Sequence, residues 1–144
     1  MRKLTVNWSI PSFVNVCIDE QKDGELAGRY YHKYAKDAVP FEHFMDMVKQ
    51  MEALFDAIQY PQETVRKRSF IKEEQTVGEK KELVPVWTGQ ELGEERGKLA
   101  SFYVLVKGRA NTTWQGEVIW VEQGVSKKFR SVMELLILMD NALK

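Results

Sequence analysis

The residues best suited to chemistry are few: one cysteine, Cys17, and two histidines, His32 and His43. A thiolate beside an imidazole would make a nucleophile and its base, and the three together would offer soft metal ligands. Their settings argue against both roles. Cys17 stands between Val16 and Ile18 in an alternating apolar run, where a thiol behaves as a small buried hydrophobe. No pair among the three has the spacing of a zinc site, so the expectation is no metal, no cofactor and no catalytic residues. Acidic pairs such as Asp19-Glu20 and Glu94-Glu95 lie in solvated runs, without the apolar pocket that would separate their pKa values. Gly89, Gly93 and Gly97 lack the strand-to-helix context of a phosphate loop.

A second chemistry is recognition by aromatic stacking and positive charge. Arg66, Lys67 and Arg68 form a short basic cluster, and Lys127-Lys128 with Arg130 forms another. Tyr31, Lys33, Trp114 and Trp120 fall in aromatic-rich strand patterns, where an open sheet face would stack bases or receive a protein. These seven residues (Tyr31, Lys33, Arg66, Lys67, Arg68, Trp114 and Trp120) are the candidate binding surface. The chain has no net formal charge, which weakens the case for a general nucleic-acid binder, while leaving room for a local basic patch, and argues against a polybasic membrane anchor. Recognition of a protein therefore ranks above recognition of nucleic acid.

The elements that must position these residues follow from periodicity. The chain has 144 residues, 44% of them hydrophobic and 29% charged, the profile of a folded domain. Leu4, Val6, Trp8 and Ile10 alternate as a strand up to Pro11, and a second strand runs over 12–19. Asp23-Gly24 marks a tight turn into an aromatic strand over 28–34. Phe41, Phe44, Met45, Val48, Met51, Phe55 and Ile58 then repeat at helical intervals until Tyr60-Pro61. The stretch 62–99 is a charged, loop-rich connector, with Leu83 to Trp87 read as an edge strand. Strands return at 102–106 and 114–121, a turn follows at 123–126, and Ser131-Val132-Met133-Glu134 has capping-box spacing before a final helix.

The two halves share a pattern. The same interval separates Gly28 from Phe41 and Gly116 from Phe129. From there Met45, Asp46, Val48 and Met51 match Met133, Glu134, Leu136 and Met139 without a gap. Phe13 and Phe102 open the first strand of each half, which makes the hairpins differ by one residue. The expected fold is α+β: two strand–strand–helix units, 1–61 and 100–144, sharing one globular domain. They would form an antiparallel sheet of four or more strands with two helices on one face, and the strand at 4–10 added at an edge. The second helix is apolar nearly all round, so either 62–98 or another chain must cover it.

The runs Thr113 to Trp120, Phe129-Arg130-Ser131 and Glu134-Leu135-Leu136 resemble a family of small uncharacterised proteins from gut clostridia and related Firmicutes. Gly28-Arg29-Tyr30, Pro40-Phe41 and Phe55 to Gln62 resemble it too. The resemblance implies a bacterial cytoplasmic protein, encoded by accessory or mobile DNA, and carries over no activity. A single cysteine fits a reducing compartment, and no apolar run is long enough for a bilayer. The functional expectation is a non-enzymatic protein-binding or regulatory module that meets a protein partner or a second copy of itself. The alternatives are a nucleic-acid-binding protein or an inhibitor of a host defence nuclease.

Overall fold

The computed structural model describes residues 6, 8–61, 85–110 and 113–143. They form an α+β fold with a six-stranded, wholly antiparallel sheet and three helices. The strands are β1 (Val14–Lys22), β2 (Glu25–His32), β3 (Val39–Phe41), β4 (Ala100–Ala110), β5 (Thr113–Trp120) and β6 (Val125–Phe129). The helices are α1 (Phe44–Ile58), α2 (Gly89–Leu92) and α3 (Val132–Ala142). Spatial order is β3-β2-β1-β4-β5-β6, so the first and last thirds of the chain meet through β1 and β4 at the centre.

The β1–β2 hairpin turns on Asp23 and Gly24, at φ 51° and 81°. Both angles are positive, the mirror-image turn whose twist matches the strands it joins. Irregularities between Ile18 and Glu20 in β1, and between Val106 and Gly108 in β4, re-aim each strand end. Gly28 lies opposite Ile18 and Phe41; Gly116 lies opposite Val106 and Phe129. A Cβ at Gly28 would stand 2.0 Å from the Cys17 carbonyl oxygen, and one at Gly116 would stand 2.0 Å from that of Leu105. Glycine is required at both because the neighbouring backbone occupies the space of a side chain.

Alternate residues of the strands divide into two cores. One contains Val14, Val16 and Ile18 of β1, Phe102, Val104 and Val106 of β4, and Leu26, Tyr30, Trp114 and Val118 beside them. Met47, Met51 and Phe55 of α1 and Leu135 and Met139 of α3 belong to the same cluster. The opposite face carries a second cluster of Ile10, Phe13, Leu92, Tyr103, Leu105 and Ile119, with Trp8 and Trp87 packed against it. Fully burying an aliphatic or aromatic side chain contributes about 1.5–3 kcal/mol. The second face is therefore a core and not an open platform.

Four sequence expectations need correction or limits. Trp8 and Ser9 form a turn on the sheet face, not part of an edge strand; residues 1–5 and 7 lie outside the described residues. Pro85, Val86 and Trp87 are not in a strand, and Leu83 and Val84 lie outside the described residues. The turn expected at 123–126 instead occupies 121–124, which leaves Val125–Phe129 as a sixth strand. The Ser131 side chain does cap α3 by accepting from the Glu134 amide at 3.0 Å, but Glu134 Oε1 accepts from the Arg130 amide at 2.7 Å instead of that of Ser131. The reciprocal capping box occurs at α2, between Thr88 and Glu91. Among the described residues, no helix is long and apolar enough to cross a membrane.

Candidate functional site

The sequence-derived candidates are scattered. Trp114 is 1% exposed in the helix-side core, edge-on to Phe55 at 5.4 Å, with its indole N–H donating to Glu52 at 3.3 Å. Lys33 is also buried, and its ammonium donates to the Trp8 carbonyl at 2.7 Å; burial pushes its pKa down. Tyr31 faces the second core, where its hydroxyl accepts from Arg29 Nε at 3.0 Å. Arg66, Lys67 and Arg68 lie outside the described residues. Only Trp120 lines an open cleft. Aromatic strand residues looked like a surface because alternation predicts two faces without saying what covers each.

The chemistry-bearing residues do not converge either. Cys17 is fully buried, and desolvation, opposed by the nearby Arg29 charge, pushes its thiol up to about 12. His32 accepts the Tyr34 amide on Nδ1 at 3.1 Å, and desolvation lowers its pKa. His43 stands 3.4 Å from Glu25 at an exposed corner. No group of three or more histidine, cysteine, aspartate or glutamate side chains is placed to hold a metal ion among the described residues.

The second face is closed by residues 85–99, held by side chains from the sheet. Asn15 Nδ2 donates to the carbonyls of Leu92 and Glu95, at 2.8 and 3.0 Å. The Tyr103 hydroxyl donates to the Gly93 carbonyl at 2.7 Å. Arg29 NH2 donates to the Arg96 carbonyl at 3.0 Å, and its NH1 meets Asp19 at 2.7 Å. The Trp87 indole donates to the Ala35 carbonyl at 2.8 Å. This segment lies on the face away from α3; residues 62–84, the rest of the stretch expected to cover α3, lie outside the described residues.

On the helix side a cleft of about 290 Å³ opens between the C-terminal half of α3 and strands β4–β6. Phe102, Val118, Trp120, Val125, Leu138 and Ala142 make it apolar, while Lys127 and Asn141 stand at its rim. Met133 and Ile137 of α3 are 62% and 49% exposed nearby in sequence, and Val125 is 40% exposed. Among the described residues neither Lys127 nor Lys128 has an ion-pair partner. The all-round apolar character of α3 was the sequence signal for this site. The cleft's other wall comes from β6, which the sequence pattern does not announce. Comparison with protein-family models, with curated proteins and with solved structures finds no match for the chain.

Proposed function

We propose that this protein acts through protein contacts, as a non-enzymatic binding module whose docking site is the cleft between α3 and the β5–β6 edge. The observation that carries the reading is one apolar cleft bordered by exposed Val125, with Met133 and Ile137 exposed on the same helix. Apolar clefts and exposed large apolar side chains are where soluble proteins meet partners. The reading also ranks protein above nucleic acid, because Tyr30, Trp114 and Tyr103 are committed to cores and do not offer a stacking face.

We read the architecture as a duplication with both helices on one face. Supporting it, a constant offset takes Gly28 to Gly116, Phe41 to Phe129 and Met51 to Met139. The same offset maps the Gln21–Asp140 hydrogen bond onto the Arg109–Glu52 contact, with the halves exchanged. On this register Val14, not Phe13, is the counterpart of Phe102, and the hairpins are equal in length. The reading keeps a cytoplasmic, bacterial setting, supported by the lone buried thiol and the resemblance in the quoted runs.

The test is retention of proteins from a lysate of the source cells on the immobilised protein, with Val125→Glu and Ile137→Glu as comparators. The expected result is a protein held by the wild type and lost with both variants. A dimer of twice 16.8 kDa in light scattering, abolished by the same changes, would identify a second copy as the partner. Retention indifferent to both changes, or a mass increase with nucleic acid alone, would overturn the reading.

A further inference from the structure

The sheet has two edges, and they differ. β3 is three residues long with Pro40 at its centre, which lacks the N–H a further strand would need. β6 is five residues long, without proline, and ends the sheet. Among the described residues it pairs with β5 alone, with Val118 opposite Lys127 and Trp120 opposite Val125. An edge of this kind templates another strand unless something deters it.

The side chains of β6 say which strand it would accept. Val125 and Lys127 face the cleft beside α3, whereas Lys128 borders a second depression on the other side, shared with Arg130. On that side Ser126 donates to Glu117, which also pairs with Lys107 at 3.3 Å, so the carboxylate of Glu117 is already engaged. Glu117 stands opposite Lys128 in the ladder but is paired with Lys107, and neither Lys127 nor Lys128 makes an ion pair among the described residues, so positive charge flanks the edge on both sides. A second copy of β6 would set lysines against lysines. An acidic strand would meet complementary charge, and its alternate side chains would drop into the apolar cleft.

Resting on the docking reading above, we propose that β6 is a strand-addition site for an extended acidic segment of a partner protein, with one large apolar side chain seated against Trp120 and Leu138. Main-chain hydrogen bonds would supply affinity, and the cleft and lysines would supply selection.

The test titrates the full chain with a short synthetic peptide alternating glutamate and leucine, followed by calorimetry and by amide NMR. Binding is expected, with slowed amide exchange confined to Val125–Phe129. It should weaken about tenfold in Lys127→Glu/Lys128→Glu and fall with added salt. A peptide with lysine in place of glutamate should not bind. The proposal is overturned if the acidic peptide does not bind, if charge reversal leaves its affinity unchanged, or if the perturbed amides lie on α3 and not on β6. It is also overturned if a single-stranded oligonucleotide displaces the peptide. If the peptide fails while lysate retention stays sensitive to Val125→Glu, strand addition alone is wrong; loss of both removes the docking reading too.

Discussion

Asn15 and Tyr103 are directly opposite partners in the β1–β4 ladder, and both reach from the same face of the sheet to carbonyls of one segment. Asn15 takes Leu92 and Glu95, and Tyr103 takes Gly93 between them. The centre of the sheet therefore fixes one part of the cover over its second face, beside Trp8 and Ile10. Asn15→Ala should cost about 2 kcal/mol and Tyr103→Phe about 1 kcal/mol, because each removes long-range hydrogen bonds from the sheet to the segment. Both should speed proteolysis within 85–99 more than within α1. Unchanged cleavage there would show that apolar packing alone holds the segment.

Arg109 ties β4 to the far end of α1. It is 3% exposed, and it donates to the Pro61 carbonyl at 2.6 Å, to Glu52 at 3.1 Å and to Asp56 at 2.9 Å. The two carboxylates keep water, with side chains 34% and 69% exposed, so their loss of a partner is screened. The Pro61 carbonyl and the packing on the Phe55 ring carry more weight. Arg109→Ala should cost about 2 kcal/mol, and Glu52→Gln under about 1 kcal/mol, in denaturant unfolding. Equal costs would mean the ion pair dominates.

Gly28→Ala and Gly116→Ala should each cost about 3 kcal/mol, because the new methyl meets a strand carbonyl that cannot swing away. Gly124 is the comparator. Its φ is 64° and open space surrounds it, so Gly124→Ala should cost only the left-handed backbone penalty of about 1 kcal/mol. Thermal unfolding of the three variants checks the order. A Gly124 variant as damaged as the others would point to backbone conformation and not contact.

His32 gives a pH dependence of known sign. Burial lowers its folded pKa below the ordinary 6.5, so the unfolded chain binds the proton first. The stability this provides is present above about pH 6.5 and is lost as pH falls through the folded value. Melting temperatures should drop on acidification more steeply for the wild type than for His32→Gln. Parallel curves would show that the imidazole is solvated.

Cys17 should resist a disulfide reagent in the native protein and react fully in denaturant. Its thiol is fully buried and pushed up to about 12, so almost no thiolate exists at mildly alkaline pH. Rapid native labelling would refute that burial.

Local signals carried the hairpin at Asp23-Gly24, the amphipathic α1, the Ser131 cap of α3 and the shared interval from Gly28 to Phe41 and from Gly116 to Phe129. Each depends on residues close in sequence, where turn angles, helical period and capping act directly. Tertiary structure alone decided the rest. β6 has four exposed residues of five and no alternation, so pairing with β5 makes it a strand. The cover over Tyr103 and Leu105 is set by hydrogen bonds from Asn15 and Tyr103 to carbonyls, and a carbonyl has no residue type to read. The cleft exists only because α3, apolar all round, is packed on one side and left open where β6 ends the sheet. Amphipathic pattern tells how much surface a segment must bury; long-range pairing tells which surface stays open.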